Sequence, residues 1–171
     1  NSRIKRFGTS SLELGISDYV VSGTVAPDLK FEEGDFTIEM FIRVDEATIQ
    51  DNVLFAINTD ASNFMPFRLA NQKGLAFEAN ISGSATTVEG ANTLIETQQF
   101  AKRRFAHVAV TRDLTEEKMY LHYNGNTISD SSFAVENLTF TANTEIGTTF
   151  KGYIDEVRVS NIPRYSANFT P

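Results

Sequence analysis

The chain has no cysteine and no tryptophan, and only 4 prolines and 10 glycines occur among its 171 residues. Without cysteine it cannot form a disulfide, a thiolate metal site or a cysteine nucleophile. No stretch approaches the roughly 20 apolar residues of a membrane-spanning helix, so we expect no membrane insertion. Cations are also in the minority, with 15 Lys and Arg against 22 Asp and Glu and a net charge of −7. Because nucleic-acid binding needs a basic surface, this charge argues against a nucleic-acid partner.

The residues that are abundant favour an all-β chain of one domain. Phe occurs 14 times, and Thr is common, as expected for pleated strands. The strongest pattern lies in 35–44, where five apolar residues alternate with mostly polar ones. No repeat, low-complexity tract or change of composition divides the chain, and its length is sufficient for one core. Many short strands between glycine turns indicate a sandwich or barrel.

Period-two alternation between turn residues predicts the remaining strands. They cover 12–14, 18–21, 53–58, 67–70, 75–81, 93–96, 105–112, 118–123, 127–133 and 152–160. Asn124-Gly125 is the strongest short hairpin signal, because a type I′ turn needs positive φ at both central residues. In the last strand we expect Asp155, Val157 and Val159 on one face. A helix over 96–104 is a weaker alternative, since that segment lacks an amphipathic stripe.

Four groups of segments, in order along the chain, resemble laminin-G-like, concanavalin-A-like jelly-roll domains. They are Phe7-Gly-Thr-Ser-Ser-Leu-Glu-Leu14 with Asp18-Tyr-Val-Val21; Gly34-Asp-Phe-Thr-Ile-Glu-Met-Phe-Ile-Arg-Val44; Phe105-Ala-His-Val-Ala-Val-Thr-Arg-Asp113 with Met119-Tyr-Leu-His-Tyr-Asn-Gly125; and Ile146-Gly147 with 150–161 and 164–171. The resemblance implies a two-sheet antiparallel jelly-roll sandwich over 7–171, after an N-terminal arm of residues 1–6. The segment 164–171 is similar to copies in phage and bacterial surface proteins. Relatives often have Trp where this chain has Phe41 and Phe105.

No catalytic set is visible in the sequence. Glycan hydrolysis needs two carboxylates about 5–10 Å apart, and the chain lacks the closely spaced acids that such enzymes carry on one strand. Asp155 and Glu156 are adjacent, so a regular strand would point them to opposite faces. The two histidines, His107 and His122, lie inside predicted strands and outside any nucleophile or zinc motif. We interpret them as packing or hydrogen-bonding residues, with a shared metal site as the alternative, and predict that the chain is not an enzyme.

Calcium is the metal that the resemblance implies. Many relatives hold a structural ion where a carboxylate of the closing strand meets carbonyls of the first loop, and carried over this points to Asp155, Asp18 and the Gly15 carbonyl as ligands of one structural Ca²⁺. Asp155 interrupts an apolar strand face, where an unpaired carboxylate is costly, and calcium prefers oxygen ligands. The alternative is that Asp155 pairs with Arg158, Arg164 or a backbone amide.

The candidate partner-facing residues are mostly basic. They are Arg3, Lys5, Arg6, Phe64, Lys102, Arg103 and Arg104. The cations suit acidic partner surfaces, although each alone is better explained by solvation. Residues 1–6 are the best candidate for an arm that orders on a partner. Phe64 opens an apolar segment, 64–67, that we expect to be a loop that faces a partner or packs against an edge.

Two functions follow from these observations. The first is a non-catalytic virion surface module of a phage-like particle, a capsid decoration or tail-fibre domain that docks on other virion proteins and attaches to host-surface glycans. On a symmetric lattice such a module is compatible with a homo-oligomer. The alternative is a calcium-assisted carbohydrate-binding or adhesion module of a bacterial surface protein, located outside the cell or on its surface. A glycanase is a third and weaker hypothesis.

Overall fold

The computed structural model describes residues 1–15, 17–22, 31–32, 34–45, 52–60, 62–70, 74–90, 104–132, 138 and 143–171. In these ranges every regular element is a β-strand, and the strands form two six-stranded antiparallel sheets. The two-sheet sandwich predicted from the alternation and the resemblance is confirmed. Among the described residues no helix is long and apolar enough to cross a membrane.

The strands are numbered in chain order. In spatial order, sheet A consists of β1 (Leu12–Leu14), β12 (Gly152–Ser160), β3 (Phe36–Val44), β8 (Ala106–Asp113), β9 (Lys118–Tyr123) and β10 (Asn126–Ser132). Sheet B consists of β2 (Val20–Val21), β11 (Thr144–Ile146), β4 (Asn52–Asp60), β5 (Asn63–Ala70), β6 (Gly74–Ile81) and β7 (Ser84–Glu89). The first and last strands are therefore neighbours in sheet A.

The hydrophobic core lies between the two sheets. Alternate residues of β3 point into it, and Ile38, Met40 and Ile42 are completely buried. Sheet B contributes three phenylalanines from adjacent strands, Phe55, Phe67 and Phe77. The other residues of β3 point away from the core. They lie on what we call the outer face of sheet A, which carries Thr37, Glu39, Phe41 and Arg43.

The outer face of sheet A is partly covered by the C-terminal tail, residues 162–171. Thr37 Oγ1 lies 2.9 Å from the Ile162 carbonyl oxygen, to which it donates, and 3.0 Å from the Arg164 N–H, which donates to it. Farther along, the Phe169 N–H donates to the Gly125 carbonyl at 2.8 Å. The Tyr165 and Phe169 rings stack with centroids 3.6 Å apart. Hydrogen bonds to the backbone of the tail, together with aromatic packing, thus hold the tail against the sheet.

The expected loop at 64–67 is wrong, because these residues belong to β5, an interior strand of sheet B. Phe64 pairs with Asn58 of β4 and Asn80 of β6, so it lies half-buried in a sheet rather than on a loop. Pro66 lies in the same strand, and the ladder to β6 is interrupted beside it. A proline cannot donate an N–H to the ladder, which explains both the interruption and the misleading sequence pattern.

The prediction that Asp155, Val157 and Val159 share one face of β12 is also wrong, because the alternation changes after Asp155. Between Asp155 and Arg158 the strand contains one residue more than β3, and Glu156 has φ +52°. This β-bulge reverses the faces that follow it. Asp155 and Arg158 consequently share the outer face, whereas Val159 packs against the core.

Two short strands, β7 and β11, are absent from the sequence prediction. β7 buries only Val88, so its alternation is weak, and β11 has three residues, too few to show a period. The strand expected at 93–96 lies outside the described residues, as does the alternative helix over 96–104 apart from Arg104.

The contact between the tail and the β9–β10 turn is testable by paired glycine substitutions. Gly125 (φ +79°) and Gly83 (φ +83°) both have left-handed backbones, but a Cβ on Gly125 would collide with the Phe169 carbonyl, whereas nothing lies within 4 Å of one on Gly83. We expect Gly83→Ala to cost about 1 kcal/mol of unfolding free energy and Gly125→Ala roughly 1–3 kcal/mol more. Urea unfolding measures both, and equal losses would show that the tail does not pack on this turn.

Candidate functional site

A buried carboxylate organises the outer face of sheet A. Glu39 is 4 % exposed. Its Oε2 accepts hydrogen bonds from His107 Nε2 at 3.0 Å and from the Tyr165 hydroxyl at 2.8 Å. Its Oε1 lies 3.0 Å from Arg164 Nε and 3.3 Å from Arg158 Nη1. Glu39 on β3 thereby connects β8, β12 and the tail.

These contacts decide the charge of Glu39. Burial on its own raises the pKa of this carboxyl, but the hydrogen bonds from His107 and Tyr165 and the nearby charges of His107 and Arg158 outweigh burial and hold the pKa of Glu39 below its usual range. The carboxylate is therefore ionised at neutral pH. A glycosidase needs a protonated carboxyl with a raised pKa as its acid, and Glu39 does not meet that requirement.

Sequence reasoning missed Glu39, although a signal was present. Glu39 lies in the middle of the segment with the strongest alternation, where a charge on an interior strand needs a partner. Arg158 and Arg164, which the sequence offered as alternative partners of Asp155, pair with Glu39 instead. His107 and His122 share the outer face on neighbouring strands, as cross-strand pairing allowed.

An aromatic pocket opens beside Glu39, between the chain ends. Its cavity of about 400 Å³ is lined by Phe7, Glu39, Phe41, His107, Glu156, Arg158 and Pro171. The Phe7 and Phe41 rings meet edge to face, with centroids 5.2 Å apart. Arg158 is half exposed, and Glu156 is exposed on the bulge, so one cation and one anion are available at the rim.

A second cavity, the basic groove, lies along the N-terminal arm. It has a volume of about 500 Å³ and is lined by Arg3, Ile4, Lys5, Arg6, Arg43, Arg104 and Phe105. Arg43 pairs with Asp45 at 3.2 Å. The other four cations form no ion pair among the described residues.

The basic groove brings together four of the predicted partner-facing residues, Arg3, Lys5, Arg6 and Arg104. Lys102 and Arg103 lie outside the described residues. Phe64 is on sheet B and takes no part in the groove. Arg43 was not predicted, because nothing in the alternation of β3 shows which outward residue will meet the arm.

Asp155 holds the N-terminal arm through the backbone. Its Oδ2 accepts hydrogen bonds from the Arg6 N–H at 2.9 Å and the Phe7 N–H at 3.2 Å, and its Oδ1 accepts one from the Glu156 N–H at 3.0 Å. Pairing with backbone amides is one of the alternatives to a calcium ligand considered above. The carboxylate that interrupts β12 is thus compensated by three N–H groups.

Asp18 lies at a different place from Asp155. Its carboxylate accepts a hydrogen bond from the Gly15 N–H at 2.9 Å, and both residues line a cavity of about 330 Å³ with Glu13 and Asp45. Leu14, just before Gly15, is in register with Gly152, three residues and roughly 10 Å along the strand from Asp155. In the part of the chain that is described, no three His, Asp or Glu side chains are grouped to hold a metal. The geometry does not fit one ion shared by Asp155 and Asp18, and calcium binding stays a prediction.

His122 is packed under the tail. Its Nε2 lies 3.2 Å from the Tyr165 carbonyl oxygen, and its Nδ1 lies 3.3 Å from the Thr127 hydroxyl. Its ring also meets that of Phe169 edge to face, at 5.3 Å. Burial lowers the pKa of His122 to about 4, so the ring is neutral at physiological pH.

Comparison with known proteins places this fold in context. The family model described as the concanavalin A-like lectin/glucanases superfamily matches residues 14–168. No curated protein matches the chain in sequence.

Several solved structures are similar to the chain in fold. The CBM40 domain of Ruminococcus gnavus IT-sialidase has a TM-score of 0.69 and 15 % identity, with 91 % of each chain covered. The binding domain of botulinum neurotoxin serotype D has a TM-score of 0.72 and 9 % identity, with 92 % of this chain and 40 % of that one covered. Domains LG4-5 of the mouse laminin alpha1 chain have a TM-score of 0.66 and 14 % identity, with 88 % and 40 % covered. The chain thus spans two fifths of the toxin and laminin chains.

The role of Asp155 in holding the arm predicts a change in proteolysis. In Asp155→Ala the Arg6 and Phe7 amides lose their acceptor, so the arm opens more often and trypsin cleaves after Arg3, Lys5 and Arg6 about ten times faster. Asp130→Ala removes the same charge from an exposed site and is the control. Mass spectrometry of timed digests follows the cleavage, and equal rates in the two variants would contradict this role of Asp155.

Buried His122 predicts a pH dependence of stability. Because the folded pKa is about 4 and the unfolded value about 6.5, the unfolded chain binds a proton first and stability falls as the pH drops from 6.5 towards 4. By pH 5 the loss is about 2 kcal/mol, whereas the contribution of Glu39 is lost only at lower pH. His122→Phe should remove this part of the pH dependence in urea unfolding between pH 7.5 and 5. Parallel profiles for the two proteins would rule out His122 as the source.

Proposed function

The chain belongs to the concanavalin A-like lectin/glucanases superfamily, and we propose that it is a non-catalytic glycan-binding module that acts in adhesion at a surface outside the cell. The observation that carries this proposal is the aromatic pocket. The pocket combines two aromatic walls, Phe7 and Phe41, with charged groups at its rim. A sugar ring presents an apolar C–H face and a circle of hydroxyls, and this combination complements both.

Arg158 and Glu156 are the rim groups that would hydrogen-bond sugar hydroxyls. Arg158 is kept in place by its ion pair with Glu39 at 3.3 Å, which limits the rotamer freedom that binding would otherwise remove. Glu156 is brought to the rim by the bulge in β12. Glu39 lies beneath as the counter-ion of Arg158 and Arg164, and its lowered pKa supports a binding role rather than a catalytic one.

Several structures of similar fold support a glycan as the ligand class. One is the Ruminococcus gnavus CBM40 domain bound to α2,6-sialyllactose, at 14 % identity to this chain. Another is a structure of botulinum neurotoxin type C, whose cell entry is dependent upon interaction with two ganglioside molecules, at 12 % identity to this chain. At such identities the likeness concerns the fold, so the ligand of this chain is proposed from its own pocket.

A place on a virion remains a narrower prediction within this proposal. It rests on the similarity of segment 164–171 to phage copies, and in this structure Tyr165 and Phe169 of that segment pack on sheet A. Docking to virion proteins and homo-oligomer formation are equally predictions. Gradient sedimentation of the native source tests them, since a virion protein bands with assembled particles at fixed stoichiometry.

The pocket is tested by removing one aromatic wall. Phe7 is 44 % exposed, and Phe7→Ala keeps the backbone N–H that Asp155 binds. On glycans that a glycan array identifies for the wild-type protein, we expect Phe7→Ala to weaken binding about ten-fold in calorimetry. Tyr19→Ala removes an aromatic ring that is 55 % exposed outside the pocket and should bind like the wild-type protein. Failure of the wild-type protein to bind any glycan on the array, or unchanged affinity in Phe7→Ala, would contradict the proposal.

A further inference from the structure

We infer that the basic groove binds an anionic group of the glycan, a carboxylate or a sulfate, while a neighbouring sugar ring of the same glycan occupies the aromatic pocket. The inference rests on the proposed function and names its ligand class. Its starting observation is the charge of the groove. Five cations surround about 500 Å³, and four of them have no ion pair in the described part of the chain.

Such a cluster is unfavourable without a counter-charge. Like charges around one cavity repel each other, and because Arg3, Lys5, Arg6 and Arg104 are exposed this repulsion is greatest at low salt. This chain has 22 acidic residues to 15 basic ones, so carboxylates were available for pairing. Arg43 uses one, Asp45, whereas Arg3, Lys5, Arg6 and Arg104 use none among the described residues. An anionic ligand would supply the counter-charge that the described residues do not provide.

The arm is held mainly through its backbone, although the Lys5 ammonium also donates a hydrogen bond to the Thr9 carbonyl at 3.5 Å. Asn1 Oδ1 accepts hydrogen bonds from the Arg3 N–H at 2.8 Å and the Ile4 N–H at 3.2 Å. Ser11 contributes a hydroxyl that donates to the Ile4 carbonyl, and Asp155 binds the Arg6 N–H. Because these bonds all go to the backbone, the guanidinium groups of Arg3 and Arg6 are not needed to fold the arm and are available for a ligand.

Groove and pocket adjoin at Arg6. Its guanidinium carbon lies 4.9 Å from the centroid of the Phe7 ring and 5.4 Å from that of Phe41. Those two rings are the aromatic walls of the pocket. A glycan with one ring against this aromatic pair has room for its next substituent beside Arg6, at the entrance of the basic groove.

The dimensions favour a glycan over an acidic protein. A cavity of about 500 Å³ is in the range of small-ligand sites. Arginine also presents paired N–H donors that match the two oxygens of a carboxylate or sulfate. The shared chemistry is an anionic group on a sugar, and carboxylate and sulfate are separated by the experiment.

Calorimetry with matched sugars tests the inference. The probes are lactose, sialyllactose, sulfated lactose and a short poly-glutamate peptide, each at 50 and 300 mM NaCl. We expect one or both anionic sugars to bind at least ten-fold more tightly than lactose at low salt, with an advantage that shrinks at high salt. The better of the two identifies the anionic group.

Charge-removing variants locate the effect. Arg104→Gln and Lys5→Gln should each weaken binding of the preferred anionic sugar three- to ten-fold and leave lactose binding unchanged. Lys118→Gln removes the same charge at a site that pairs with Asp130, outside the groove, and should bind like the wild-type protein. Equal affinity for lactose and both anionic sugars, or equal losses in Lys118→Gln and the groove variants, would overturn the inference.

The remaining outcomes separate the two proposals. If lactose binds and Phe7→Ala weakens it, but neither anionic sugar binds more tightly, the proposed function stands and the inference about the groove fails. If no sugar binds, both fail. If poly-glutamate binds as tightly as the anionic sugars and Phe7→Ala does not affect it, the groove serves an acidic protein partner and the glycan inference is wrong.

Discussion

Glu39 lies on the outer face of sheet A, where its carboxylate is removed from water and has to be compensated by hydrogen bonds and opposite charges. His107 on the neighbouring strand supplies one hydrogen bond and Tyr165 a second, whereas Arg158 and Arg164 contribute opposite charge. Tyr165 and Arg164 reach it from the tail, and Arg158 reaches it from the bulged last strand. The tail and the part of β12 after the bulge therefore both contact this one carboxylate. The pocket beside it takes its shape from the same contacts.

The candidate site is built by the segments that cover the sandwich rather than by the sandwich alone. Phe7 follows the N-terminal arm, Pro171 ends the described tail, and both line the aromatic pocket. The bulge in β12 brings Arg158 over Glu39, onto the face where Asp155 already binds the arm. Folds of this kind serve many functions because their covering segments vary while the packed sheets persist. Because the covering segments vary, family membership defines this fold without defining its ligand.

Local charge and total charge differ in this protein. A net charge of −7 argues against nucleic acid and suggests an acidic surface. The arm, Arg43 and the two residues before β8 nevertheless form a basic groove. Arg104 is about one hundred residues from the arm in the chain. The two meet because the arm lies against sheet A, and Arg104 comes just before β8 of that sheet. Asp155 helps to hold the arm there by accepting hydrogen bonds from its backbone.

Much of the sandwich was determined by the sequence itself. The alternation in 35–44, 118–123 and 152–160 and the Asn124-Gly125 turn depend on neighbours along the chain, and the structure has strands and a hairpin at each. Local periodicity failed where a long-range contact overrides it: Pro66 is accommodated inside β5 by its neighbours, and the extra residue in β12 reverses the faces after Asp155. The partners of Glu39, the backbone contacts of Asp155 and the grouping of Arg3, Lys5, Arg6, Arg43 and Arg104 were decided by the tertiary structure alone. Each joins residues far apart in sequence, and no periodic pattern records which outward side chains two crossing segments will bring together.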